Sequence, residues 1–211
     1  MKKETIEIKN INLRTVEIEI EGLTDLVLNK MNDVTVRQLT DERNNKAKTK
    51  EDINKWEQII TAIHWLKDIE VEYSEEGLQD KLINDIPCIT SFGLQKSFGQ
   101  AVTRNGIDTY SVKFNANVMV LPEKGMLVPI TFTNYSLNEM LMSPKRGAPV
   151  LTRLSQFSGW RAKFKVQFID GGLYSLEQIV NIINLAGFGL GIGSSRNAGF
   201  GRYKVVGVKE V

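Results

Sequence analysis

The sequence predicts an α+β fold in which an antiparallel sheet is backed by amphipathic helices. Strict apolar–polar alternation over 15–21 and 160–168 marks half-buried strands, and apolar residues at helical spacing over 91–103 and 175–187 mark helices with one buried face. The order strand, helix, hairpin, strand, helix, strand then gives a βαββαβ ferredoxin-like core within a single domain over 1–211.

The elements follow in order. Residues 5–9 and 15–21 read as strands, with Ile6, Ile8, Val16, Ile18 and Ile20 inward and Glu17, Glu19 and Glu21 on the wet face of the second. After the apolar run Leu26, Val27 and Leu28, the stretch 32–54 is charged and poor in apolar residues, and is expected to be an inserted, mobile loop. Trp56, Ile59, Ile60, Ile63 and Leu66 repeat at helical spacing, which predicts a helix from Lys55, and Ile69, Val71 and Tyr73 predict a short strand. Residues 85–89 read as an apolar turn and 91–103 as a helix with Ser91 as N-cap. Two β-rich runs, 110–121 and 126–133, are joined by Pro122-Glu123-Lys124-Gly125, predicting a long β-hairpin. Residues 141–157, with Pro144, Gly147 and Pro149, read as a surface loop. Trp160, Ala162, Phe164, Val166 and Phe168 then line the inner face of a strand whose outer face is basic. Ser175 caps the last helix, which ends near Gly187, and a final strand covers 202–208.

Composition narrows the function classes. With 42% hydrophobic residues the chain is globular, and its one cysteine, Cys88, excludes an intramolecular disulfide and a cysteine zinc site, so a cytoplasmic location is expected. No apolar run reaches the ~18 residues of a membrane helix, and the charged start leaves no room for a secretory segment. No metal-ligand spacing is evident, and neither a metal nor a cofactor is expected. The net charge of +2 hides an asymmetry, because residues 1–95 hold 13 Lys and Arg against 19 Asp and Glu, whereas 96–211 hold 14 against 6. Such a split signals either an acidic partner for the basic half or contact between oppositely charged faces, within one molecule or between copies in a homo-oligomer.

The segment 187–201 contains six glycines, at 187, 189, 191, 193, 199 and 201, together with Ser194, Ser195 and Arg196. Glycines let backbone N–H groups approach a ligand closely, and the serines and arginine add donors for phosphate oxygens. It is neither a Walker loop, lacking Gly-Lys-Ser/Thr, nor a dinucleotide fingerprint, since it follows a helix and precedes a strand. The plainer reading is that the glycines only fold a helix tightly back onto a strand.

Gly-Leu-Gly-Ile-Gly-Ser-Ser-Arg-Asn-Ala-Gly-Phe-Gly-Arg-Tyr, between a helix and a closing strand, resembles the C-terminal signature of the RAMP superfamily of CRISPR-associated RNA-binding proteins. The strong part of the likeness covers 175–208. The segments 16–29 and 97–104 are also similar to a group of uncharacterised bacteriophage proteins with the same ending. The resemblance implies RNA or single-stranded DNA bound along the sheet face and at the loop, with Gly189, Gly191, Gly193, Arg196, Gly199 and Gly201 as the matching positions.

Further candidate phosphate contacts are Arg161, Lys163 and Lys165 on one strand, joined by Arg202 and Lys204 if the last strand is its neighbour. Lys145, Arg146 and Arg153 lie near Phe157 and Trp160, a mixture of basic and aromatic residues suited to unpaired bases. Processing members of the superfamily typically use a histidine. The only one here, His64, reads first as a packed or rim residue of an apolar helix and only second as a general base. The leading expectation is therefore a phage-encoded, non-enzymatic nucleic-acid binder that acts in replication, recombination or interference with host defence. A sequestering protein for a small nucleotide or cyclic oligonucleotide signal is the alternative, and a metal-independent endoribonuclease the weakest.

Overall fold

A computed structural model describes residues 10–43, 54–142 and 150–211. The strand expected at 5–9 lies outside these residues, as do 44–53 of the charged stretch and both Lys145 and Arg146.

Alternation makes β1 (Leu13–Gly22) a strand, and its inward residues Val16, Ile18 and Ile20 are completely buried. It lies between β9 (Arg161–Ile169) and β10 (Tyr203–Glu210), antiparallel to both. Beyond β9 the seven-stranded sheet continues through β6 (Leu127–Thr131), β4 (Pro87–Thr90) and β3 (His64–Trp65). The amphipathic helices α4 (Ser91–Arg104) and α6 (Leu176–Gly189) pack on each other over the face formed by Val16, Ile18, Ile20, Phe164 and Val166. Phe98 of α4 meets Phe164 of β9 with ring centroids 6.1 Å apart.

A second, three-stranded sheet is built from β2 (Leu26–Leu28), β8 (Val150–Ser158) and β7 (Asn134–Met142), in the order β2-β8-β7. The surface loop expected over 141–157 is thus largely strand. Its pattern is weak because much of β8 is half-buried on either face, so polar residues such as Thr152, Arg153 and Gln156 interrupt the apolar ones.

The two runs read as a hairpin do not pair with each other. They lie end to end along one edge of β9: β5 (Val118–Leu121) sets Val118 opposite Phe168 and Leu121 opposite Lys165, and β6 sets Ile130 opposite Ala162 and Thr131 opposite Arg161. Between them the 122–126 turn carries the chain off that edge, so that Leu127, Val128 and Pro129 pair with β4 before β6 rejoins β9. The first run also opens as a helix, α5 (Ser111–Asn117), in which Phe114 is the buried side chain.

The helix starting at Lys55 is shorter than its apolar spacing predicts. α2 (Lys55–Thr61) is N-capped by Asn54 and ends at Ala62, after which Ile63 and Trp65 are buried and His64 half-buried, the two-residue period of a strand. His64 is therefore on β3, opposite Cys88 of β4, and not on a helix. Part of the stretch expected as loop is also helical, since α1 (Asp33–Arg43) forms there with Val34 buried beneath it.

Residues 69–73 form no strand. Residues 87–90, which overlap the turn expected over 85–89, are strand β4, and α3 (Glu75–Asn84) is an additional helix capped by Ser74, whose Oγ accepts from Gly77 N at 3.0 Å. The cap of α4 is Thr90, one residue before the expected Ser91.

Candidate nucleic-acid interface

To bring β10 back beside β1, the chain must leave α6 and reverse within a few residues. Ser175 and Gln178 close a capping box at the start of α6, and the N–H groups of Leu190 and Gly191 both reach Ala186 O at 2.9 Å at its end. The loop that follows is stitched to the chain around β2. Ile192 N donates to Gly201 O at 3.0 Å, Ser194 N to Val27 O at 2.8 Å and Gly201 N to Asp25 O at 2.8 Å. These contacts demand glycine, most tightly at two positions. Gly193 has φ +76° and a Cβ there would meet Val27 O at 2.5 Å; Gly201 has φ +71° and its Cβ would meet Ile192 O at 1.9 Å.

The outer part of the loop is differently disposed. The N–H groups of Ser195, Arg196 and Asn197 have no acceptor among the described residues, and the Arg196 guanidinium has no carboxylate partner there. Ser195 takes a left-handed conformation (φ +55°), and a single 3₁₀ turn, Arg196–Ala198, follows. Together with Gly193 and Ser194, these residues line one wall of a cleft of about 460 Å³ whose other wall includes Met140 of β7 and Leu154 of β8. Gly199 lies at the far side of the loop, where Thr24 Oγ1 donates to its carbonyl at 2.8 Å, and Gly189 has open space around its α-carbon.

On the other side of Gly193 and Ser194 lies a smaller pocket of about 180 Å³, with Leu28, Leu94 and Ile192 among its apolar walls and Lys30, His64 and Thr90 among its polar ones. Lys30 and His64 also border a polar cleft of about 580 Å³ that includes Asp33, Glu70, Tyr73 and Lys81. Burial, and then the charge of Lys30, lower the pKa of His64, so its imidazole is neutral at pH 7. His64 and the glycine loop are more than a hundred residues apart in the chain, and nothing in either segment signals that they share a pocket.

The basic strand faces its counter-charges inside the same sheet. Glu17, Glu19 and Glu21 of β1 stand opposite Lys165, Lys163 and Arg161 of β9. Glu19 lies 3.4 Å from Lys163 and 3.7 Å from Arg161, and Glu21 lies 3.2 Å from Arg161. On the other flank, Lys204 and Lys209 of β10 stand opposite Glu21 and Glu17. Thus β9 and β10 are not neighbours, and the acidic strand separates their cations. Lys165, Lys204 and Lys209 have no ion pair among the described residues; Lys209 joins this group because β10 runs past the strand end expected at 208. Arg202 donates to Phe188 O at 3.0 Å at the C-terminal end of α6, and Arg153 pairs with Glu139 across the β7–β8 ladder at 2.9 Å. Phe157 and Trp160 are fully buried and offer no stacking surface.

Among the described residues no group of three or more His, Cys, Asp or Glu side chains is placed to hold a metal ion, and no helix is long and apolar enough to cross a membrane. No family model matches the chain, and no curated protein matches it. Among solved structures, the crystal structure of Cmr6 from Pyrococcus furiosus is similar over 93% of this chain and 100% of that one, with 10% sequence identity and a TM-score of 0.41.

Proposed function

We propose that this chain binds single-stranded nucleic acid, RNA or DNA, without cleaving it, and that the strand runs through the cleft between the outer glycine loop and the β7–β8 hairpin. The observation that carries this reading is Arg196, unpaired among the described residues, beside three successive unbonded N–H groups on the wall of a cleft with Met140 and Leu154 opposite. Phosphate oxygens suit the donors, and base or sugar faces suit the apolar side.

The scaffold is read as ferredoxin-like and RAMP-like, with β10, β1, β9 and β5 as the four core strands and α4 and α6 as the two helices. In this reading Lys165, Lys204 and Lys209 extend the electrostatic surface, whereas Arg161 and Lys163 are engaged by β1. The acidic and basic strands answer each other within one sheet, so they are not assigned to assembly between copies. His64 is assigned a lining role and not a catalytic one, in keeping with its half-buried place on β3 beside Lys30.

Fluorescence anisotropy with labelled single-stranded RNA and DNA of two lengths, at low and moderate salt, tests the reading. Binding should strengthen with length, weaken with salt and fall at least about tenfold in Arg196→Ala. A folded protein that binds no strand overturns it.

A further inference from the structure

We infer that the small pocket between the glycine loop and β3 receives a single unstacked base, with pyrimidines favoured, from a strand held in the neighbouring cleft. This rests on the strand-binding reading and adds a specificity to it. The cleft and the pocket both border Gly193 and Ser194, so a strand whose backbone lies along Ser194 to Ala198 brings a neighbouring base beside the pocket.

The size is selective. At about 180 Å³ the pocket is smaller than the ~300–1,000 Å³ of clefts that hold drug-sized ligands. A single nucleobase, and not a drug-sized ligand, is the matching class. Leu28, Leu94 and Ile192 supply apolar walls for the ring faces, and Lys30, His64 and Thr90 supply the polar groups.

Those polar groups are rich in donors. Lys30 has an ammonium group with no ion pair among the described residues and can only donate. Thr90 Oγ1 already accepts from Gly93 N at 3.1 Å, which leaves its hydroxyl proton for a ligand. His64 offers one donor and one acceptor in its neutral form. Uracil (O2, O4 and N3–H) and cytosine (O2, N3 and N4–H2) each present two acceptors and one donor, matching two donors and one acceptor, whereas the pairing edge of adenine presents one acceptor, N1, and one donor, N6–H2. Ser194 Oγ is engaged with Asn29 O at 3.2 Å and holds the wall in place.

The test compares oligo(U), oligo(C) and oligo(A) of equal length with wild-type protein, Lys30→Met, His64→Leu and Arg196→Ala. The wild type should prefer oligo(U) and oligo(C) to oligo(A) by about tenfold, the worth of one or two net hydrogen bonds. Lys30→Met and His64→Leu should erase most of that preference while still binding oligo(A), whereas Arg196→Ala should weaken all three strands alike. Equal affinity of the wild type for oligo(U) and oligo(A) overturns the pocket and leaves the strand reading intact. Loss of all binding in folded wild type overturns both. Circular dichroism of each variant identifies any that fail to fold, and the wild-type comparison among the three strands decides the question without them.

Discussion

Glu19 of β1 stands directly opposite Lys163 of β9, with carboxylate and ammonium 3.4 Å apart, and the same carboxylate group reaches Arg161 at 3.7 Å. One acidic side chain thus holds two cations of the strand that the sequence marks as basic. The charge asymmetry between the two halves of the chain is in part resolved inside a single sheet, because β1 comes from the acidic half and both its neighbours from the basic half.

Removing that carboxylate should release Lys163, while Arg161 stays paired with Glu21. Glu19→Gln is expected to change stability by only about 0–1 kcal/mol, since these pairs are solvent-screened. If a bound strand reaches β9, affinity should rise, and the slope of log affinity against log salt should steepen by about 0.7 once Lys163 meets a phosphate. Anisotropy titrations at several salt concentrations read both quantities. An unchanged slope confines the strand to the loop and hairpin.

The glycines of the loop divide into two kinds, and stability measurements should separate them. Gly201→Ala places a Cβ at 1.9 Å from Ile192 O in a left-handed conformation and should cost about 3–5 kcal/mol. Gly199→Ala also meets a left-handed φ, of +91°, but nothing lies within 4 Å of the new atom, so about 1–2 kcal/mol is expected. Urea unfolding of the two variants gives the comparison, and similar losses would contradict the packing described for Gly201.

Long, strictly patterned elements are legible in the sequence: β1, β9, α4 and α6 each bury one face, and the pattern records it. The loop glycines are legible as a tight reversal, but which of their N–H groups face outward depends on β2, which is distant in sequence. His64 reads as helical because Trp56, Ile59, Ile60 and Ile63 satisfy helical spacing up to the point where the chain straightens at Ala62. The α3 helix carries a cap signal, Ser74 followed by Glu75 and Glu76, but with Leu78 and Lys81 as its main buried side chains it leaves little periodicity to find. Pairing of Glu19 with Lys163 is a matter of strand order, which neither segment contains.

His64 should make stability depend on pH. Its folded-state pKa is lowered by burial and by Lys30, so the unfolded chain takes up a proton first as pH falls below the ordinary value of 6.5. The contribution to stability is complete above that value and is lost progressively as pH falls from it through the folded-state pKa. Unfolding free energies of wild type and His64→Leu, measured between pH 7.5 and pH 5 at about half-unit steps, should converge in slope above pH 7 and diverge below about 6.5. Parallel curves would contradict the burial of the imidazole.

Asp85 anchors the segment before β4. Its carboxylate accepts from Lys67 N at 2.8 Å, Ile69 N at 3.0 Å and Ile86 N at 2.7 Å. Burial alone would raise its pKa, but these three donors and the charge of Lys81 bring it below the usual value. Asp85→Asn should therefore destabilise the protein by about 3 kcal/mol, because one acceptor oxygen becomes a donor and the buried Lys81 loses a nearby negative charge. Thermal and urea denaturation measure the loss, and a change under about 1 kcal/mol would show that the segment holds without this carboxylate.

Tyr203 presents the opposite case. Its side chain is completely buried at the start of β10, its ring packs against Trp160 at 6.2 Å between centroids, and its hydroxyl has no hydrogen-bond partner among the described residues. The polar group beside it, Ser97 Oγ, donates to Gly191 O at 3.1 Å and so ties α4 to the glycine loop. A buried hydroxyl without a partner carries its desolvation cost uncompensated. Tyr203→Phe keeps the ring and removes that cost, so stability should hold or rise by about 1 kcal/mol, whereas Ser97→Ala should lower it by about 1 kcal/mol by leaving the Gly191 carbonyl unbonded. If Tyr203→Phe instead destabilises the protein by more than about 1 kcal/mol, the hydroxyl has a partner in solution, either Ser97 Oγ beside it or an internal water.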